Sequence, residues 1–344
     1  MNNDRADPLE LTNFTVWGRA WFPDGWRGLR RFCADCGLAG VELLAEGATP
    51  ASAPPRELVR GVHLGALGSW LRLAGLDVAH FGSPAARFAG CGSYAALVRA
   101  CAQELRGAAA FKPAYVVWHA FYTPFPQAFG GPRVLASAPF LERLADLVLE
   151  TCTEVTPSFR LCFENGFGVG VGPHALDATA AFFERLRGLP VGLAFDLGHH
   201  LNICGRINSP AAACRELERV GHELAARGLP VHVLHLHWTP ARLAGPPVWE
   251  RARAGAADLE PRIAQSASAF YEQTDRHLPL AHALLPQAVA ALAPRYVVHE
   301  LGAGSLPQHR AWLMRQARAL RACPAPLAAR GASPRGELAP QEVP

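Results

Sequence analysis

Six short β-rich runs in this chain end on or near an ionisable side chain: His63, His119, Glu164, Asp196, His235 and Glu300. Side chains along a strand alternate between its two faces. In Val191–Asp196, Gly192, Ala194 and Asp196 share one face and Leu193 and Phe195 the other. In Tyr296–Glu300, Tyr296, Val298 and Glu300 lie opposite Val297 and His299. If such runs close around one axis, the six polar groups meet there and their apolar neighbours pack outward. Carboxylates buried together raise one another's pKa. A divalent cation removes that conflict, because it binds carboxylate and neutral imidazole alike. The oxygen and nitrogen ligand mixture suits Zn or Mn, with Fe, Co or Mg as further candidates, and suits Ca less. Taken singly, each residue has a plainer reading. A strand-end histidine is commonly a hydrogen-bonded structural group, and a lone Glu or Asp is as readily a cap or a salt-bridge partner. Six at equivalent positions form a set that six separate plain readings do not account for.

The elements that must carry these residues alternate between short β-rich runs and longer helical patterns, the signature of βα units on a parallel sheet. The expected strands are Asn13–Trp17, Gly40–Leu44, Gly61–Leu64, Ala114–His119, Arg160–Glu164, Val191–Asp196, Val231–His237 and Tyr296–Glu300. The helical stretches are Gly25–Cys36, Ser93–Ala109, Ala138–Thr151, Ala175–Arg187, Pro210–Arg227, Ala283–Leu292 and Gln308–Ala322. Eight strands in this alternation predict an α/β fold, a single-domain (β/α)8 TIM barrel over 13–322. Residues 1–12 read as an N-terminal extension and 323–344 as a disordered Pro/Ala-rich tail. A doubly wound open sheet is the alternative, but no GxGxxG follows the first strand. Three long segments, Gly65–Gly92, Phe121–Pro132 and Thr239–Ala256, follow strands and would overhang the active-site face.

Composition narrows the function classes. The chain has 344 residues, half of them hydrophobic, enough for a large core. No apolar run approaches the ~18 residues of a membrane span, and the start lacks a signal-peptide core, so a cytoplasmic protein without a membrane partner is expected. Formal charge is only +4 and Lys112 is the sole lysine. No basic patch stands out, which argues for a small-molecule substrate over nucleic acid. Nine cysteines are scattered. Cys33 and Cys36 form one CxxC with no second pair at zinc-finger spacing, so ordinary helix packing is expected of them.

The motifs GVELL (Glu42), GVHL (His63), VVWHA (His119), CFENG (Glu164), FDLGH (Asp196, His199), LHLHW (His235) and VVHE (Glu300) together resemble the xylose isomerase-like TIM-barrel superfamily. That superfamily holds sugar phosphate isomerases and epimerases and also the type IV apurinic endonucleases. The likeness runs from about Asn13 to Leu320. The isomerase side implies one metal on Glu164, Asp196, His235 and Glu300. The endonuclease side implies up to three: His63 and His119 with Glu164; then Glu164, Asp196, His235 and Glu300; then His199 with Asp275 and His277. The triplet Asp275-Arg276-His277 matches the DxH motif of that branch. The chain departs from it in having His237 and Trp238 after the strand-seven histidine, and in the long insertion 65–92.

Two chemistries follow, with one to three ions per chain. One is hydrolysis of a small-molecule phosphoester, such as a cobamide-type nucleotide loop, with Glu164 bridging two ions and Arg276 neutralising a phosphate. The other is sugar or sugar-phosphate isomerisation or epimerisation, with Glu164 and Glu300 moving a proton next to a carbonyl. Oxidative chemistry at clustered iron ranks third, and a non-catalytic binding barrel last. Trp70, His237 and Trp238 are candidates to contact substrate, with His237 also a possible ligand. His232, out of phase with His235, is expected to pack outward, and His200 to cap a loop.

Overall fold

Eight parallel strands pair edge to edge until the last meets the first. The computed structural model describes residues 7–65, 93–122, 137–166, 168–205, 207–240 and 275–322. In chain order the barrel strands are β1 (Leu9–Phe14), β2 (Gly40–Leu44), β3 (Val59–His63), β4 (Tyr115–His119), β5 (Arg160–Glu164), β6 (Val191–Asp196), β7 (Val231–Leu236) and β8 (Tyr296–His299). The main helices are α1 (Trp26–Cys36), α2 (Tyr94–Ala109), α3 (Ala138–Glu154), α4 (Leu176–Arg185), α5 (Leu197–Cys204), α6 (Pro210–Ala226), α7 (Leu285–Leu292) and α8 (Leu306–Arg321). The expected (β/α)8 barrel is therefore the fold. Trp70, most of the three long segments and the tail lie outside the described residues.

Local sequence explains where the helices begin. Ser93, Ser209 and Ser305 each accept a hydrogen bond from the backbone N–H three residues on, at Ala96, Ala212 and Gln308. Pro210 follows Ser209 at a position where a missing N–H costs nothing. Helix α5 is not among the elements the sequence predicts. It is two turns long and starts directly on the last residue of β6, where the Asp196 carboxylate accepts from His199 N at 2.6 Å.

The first strand corrects the expectation. It is Leu9–Phe14, not Asn13–Trp17, so the barrel takes in residues that the sequence assigns to the extension; Val16–Trp21 forms a 3-10 turn. Register fixes this: Leu9, Glu10, Leu11 and Thr12 pair with Tyr296, Val297, Val298 and His299. The polar Glu10 obscures the strand in the sequence. Its carboxylate accepts from Arg321 Nε at 2.6 Å and sits 2.8 Å from His299 Nε2, tying the closing seam to α8.

Two apolar layers result. Inside the barrel lie Leu11, Tyr115, Val117, Cys162, Ala194, Val233, Tyr296 and Val298. Outside, residues such as Val116, Trp118, Phe163, Phe195 and Leu234 pack against the helices. Tyr115 crosses the interior over Gly61, where a Cβ would fall 2.2 Å from the ring. The phenol donates to Glu42 Oε2 at 2.7 Å. A second correction concerns His232. Register slips between β6 and β7, where Leu193 faces Val231 but Ala194 faces Val233. The extra residue, His232, turns to the interior rings of Tyr296 (5.5 Å) and Tyr115 (6.1 Å). Cys33 and Cys36 are buried against the outer core, and burial pushes the Cys33 thiol up to about 12, consistent with packing.

Candidate metal centre

The inward phase of each strand carries the polar residues to the C-terminal mouth. His63, His119, Glu164, Asp196 and His235 are all at most 6 % exposed. Glu300 follows the last residue of β8 and keeps that strand's inward phase. A strand-end position alone would leave each ring free to rotate, but second partners fix the histidines. His63 Nδ1 lies 2.8 Å from the Leu64 carbonyl, His199 Nδ1 2.8 Å from the Asn165 carbonyl, and His277 Nδ1 3.2 Å from the Glu300 carbonyl. A carbonyl only accepts, so each Nδ1 carries the proton and each Nε2 faces the centre.

Those Nε2 atoms converge on carboxylates. Glu164 Oε2 is 2.7 Å from His119 Nε2 and 3.3 Å from His63 Nε2. Asp275 Oδ2 is 2.7 Å from His277 Nε2 and 3.4 Å from His199 Nε2. His235 is turned the other way. Its Nδ1 lies 2.7 Å from Glu164 Oε1, 3.2 Å from Glu300 Oε2 and 3.7 Å from Asp196 Oδ2. Its Nε2 faces Glu42 Oε1 at 3.2 Å.

Ligand-capable atoms mutually within 4.8 Å form four groups around the mouth: Glu42, His63 and His235; His63, His119 and Glu164; Glu164, Asp196, His235 and Glu300; and His237, His277 and Glu300. The first two sets that the family resemblance implied are thus brought together. In the third, the group that closes is His237, His277 and Glu300, with Asp275 and His199 alongside. His237 is wholly buried, stacks on His277 at 4.1 Å, and reaches Asp196 Oδ2 at 3.0 Å through Nε2. The donor set fits a divalent cation. Asp275 Oδ1 and His237 Nδ1 are buried with no partner in hydrogen-bonding geometry among the described residues, which is costly unless something else meets them.

The electrostatics agree. Burial alone would raise Glu164, yet His119, His235 and His63 hold its carboxyl well below the usual range. Burial opposes the charge on Asp196 too, and His199 and His237 overcome it. Burial works against a charged His63, but Glu164 beside it lifts the ring to about 9. For His119 burial prevails over Glu164 and the ring is pushed down. Burial also dominates at Glu300, which is pushed up against the pull of His235 and His277. Positive charge on the imidazoles thus offsets the carboxylates, the part a metal's charge would take.

The segment after residue 274 is held by backbone. Trp238 and Leu278 exchange N–H···O bonds of 2.7 and 3.0 Å, and Leu280 N donates to buried Gln316 Oε1 at 2.6 Å. This brings Asp275 and His277 to the mouth, with His277 at a left-handed φ of 44° that a non-glycine residue adopts only under constraint. Arg276 is exposed beside them. The Trp238 side chain packs partly buried on the outer core, and Trp118 packs outward on Phe163.

Two residues in the quoted motifs gain parts that the sequence does not assign. Glu42 backs His235. Asn165 stitches β5 to β6, donating to the Asp196 carbonyl at 2.9 Å and accepting from Asp196 N at 2.8 Å. An acidic residue at an inward strand position is the available signal for Glu42.

No family model and no curated protein matches the chain. Among solved structures it is similar to endonuclease IV from Thermus thermophilus, at 18 % identity over 91 % of this chain and 98 % of that one, TM-score 0.45. It is also similar to a putative xylose isomerase from Rhodospirillum rubrum, at 14 % identity over 91 % and 98 %, TM-score 0.47. A third is a sugar phosphate isomerase/epimerase from Parabacteroides distasonis, at 8 % identity over 92 % and 94 %, TM-score 0.43. These are the kinds of protein that the motifs resemble. Identities this low carry no activity across. Among the described residues, no helix is long and apolar enough to cross a membrane.

Proposed function

We propose that the chain is a metal-dependent hydrolase of a small-molecule phosphoester, with two or three ions, Zn or Mn first among the candidates. The observation that carries this reading is the sharing of carboxylates. Glu164 belongs to two adjacent ligand groups and Glu300 to two, so three groups are strung together. One ion would need only Glu164, Asp196, His235 and Glu300. When bound, such ions lower the pKa of water and neutralise phosphoryl oxygens. The chain's own part is to hold them: His63 and His119 with Glu164, the four-residue group next to it, and His237 and His277 with Glu300. The Glu300 carbonyl orients His277 through Nδ1, Asp275 Oδ2 lies beside the Nε2 atoms of His277 and His199 as a further ligand, and exposed Arg276 is placed to pair with a phosphate oxygen. The single lysine supports a compact substrate over a long polyanion.

Elemental analysis of protein purified without chelator, together with turnover of chromogenic phosphate mono- and diesters, tests the reading. Two or three ions per chain and hydrolysis are expected, and His277→Ala should remove one ion and most activity. A single ion with aldose–ketose interconversion would replace it by the second reading, sugar isomerisation or epimerisation. One observation favours that alternative: a buried Glu300 carboxyl pushed up in pKa can hold and return a proton at Oε2. Visible absorption of the purified protein would point to iron and oxidative chemistry.

A further inference from the structure

Helix α5 presents a second set of metal-ligating atoms away from the mouth. His199 turns inward to Asp275, and the next residue, about 100° further round the helix, is His200. The His200 ring packs 5.6 Å from Phe195, a residue of the outer face of β6. Cys204 lies four residues on and therefore on the same face as His200. Glu216 comes across from α6. His200 Nε2 is 2.7 Å from Glu216 Oε1, Cys204 Sγ is 3.3 Å from that nitrogen, and Sγ to Oε1 is 3.6 Å. Three ligand atoms of three types thus face one point. This corrects the expectation that His200 caps a loop.

We propose that His200, Cys204 and Glu216 bind one zinc ion that clamps α5 to α6 outside the barrel wall. Thiolate, imidazole and carboxylate together select zinc over magnesium or calcium. Binding sends the Cys204 thiol proton to solvent, and His200 binds through Nε2 as the neutral ring with its one proton on Nδ1. Arg219 grips both carboxylate oxygens of Glu216, Nε donating to Oε2 at 2.9 Å and Nη2 to Oε1 at 2.5 Å, and so orients the ligand, which uses the remaining lone pair of Oε1. Three protein ligands leave a fourth position for water, so the ion exchanges with solution. The clamp bears on the mouth because α5 begins at Asp196 and carries His199 in its first turn.

Nothing at the mouth offers sulfur: its ligand groups contain only His, Asp and Glu among the described residues. That separates the two centres experimentally, whatever reaction the mouth performs. Titration of the full metal-free chain with Co(II) should produce a near-ultraviolet thiolate-to-cobalt absorption that saturates at one ion per chain. Cys204→Ser should abolish it and lower bound zinc by one ion per chain. X-ray absorption of the zinc-loaded wild type should show sulfur in the first shell, a measurement that needs no variant to fold. Absence of thiolate absorption and of sulfur scattering at saturating metal overturns the proposal, as does a band that survives Cys204→Ser.

Discussion

Glu42 and His235 form a carboxylate–imidazole pair deep in the mouth, with Glu42 Oε1 3.2 Å from His235 Nε2 while Nδ1 faces Glu164, Asp196 and Glu300. The pair settles which nitrogen serves the centre. A carboxylate on Nε2 keeps the proton there and leaves Nδ1 as the ligand. Glu42→Gln keeps an acceptor but removes the charge. Metal affinity of the Glu164–Asp196–His235–Glu300 group is expected to fall about 10–100-fold, read by competitive chelator titration. Unchanged affinity would reduce Glu42 to a packing partner of Tyr115.

Gly198 sits where a Cβ would come 1.9 Å from His237 Cε1. That ring cannot yield cheaply, since it is fully buried and stacked on His277 at 4.1 Å. Gly198→Ala should displace His237, cost about 1–3 kcal/mol of stability, and lower metal content by one ion. Thermal melts and elemental analysis read the two effects. A variant with full metal content would show that His237 is no ligand.

Metal uptake should strengthen with rising pH. Burial opposes the charged rings, but neighbouring carboxylates prevail and lift His63 to about 9 and His277 to about 10 in the metal-free chain. A protonated ring binds no cation, so each ion must displace protons. Affinity should therefore rise up to about pH 9–10, and calorimetry in buffers of different ionisation enthalpy should detect proton release on binding. The same shifts set the stability of the metal-free chain. Both groups are raised above their ordinary 6.5, so their contribution is complete below about pH 6.5 and is lost as pH rises through about 9 and 10. Uptake independent of pH between about 6 and 9 would contradict these assignments.

The closing seam should be acid-sensitive. Burial opposes the Glu10 charge, but His299 and Arg321 hold its carboxyl below the ordinary 4.5. A depressed carboxyl contributes stability above its unfolded pKa and loses it as pH falls through the folded value. Glu10→Ala should cost about 2 kcal/mol at neutral pH, the scale of a hydrogen bond to a charged group, and the deficit should vanish in acid. Chemical denaturation at about pH 7 and about pH 3 measures both, and an equal deficit at the two pH values would refute the linkage.

Much of the barrel is legible in the sequence because its determinants are local. Val191–Asp196 and Arg160–Glu164 alternate with period two between turn signals, and serine caps announce α2 and α6. The inward phase of His63, His119, Glu164, Asp196, His235 and Glu300 follows from that alternation. What the sequence could not supply comes from pairing between distant segments. Glu10 reads as polar extension until Arg321 and His299 are beside it, so sequence alone places β1 too late. His232 faces inward only because β7 carries one residue more than β6 at their join. His237 belongs with His277 and Glu300 because the Trp238–Leu278 bridge folds residues 275–280 over the mouth. Residue type and strand period determine which side chains can meet; register and long-range hydrogen bonds, set by neighbours dozens to hundreds of residues away, decide which ones do.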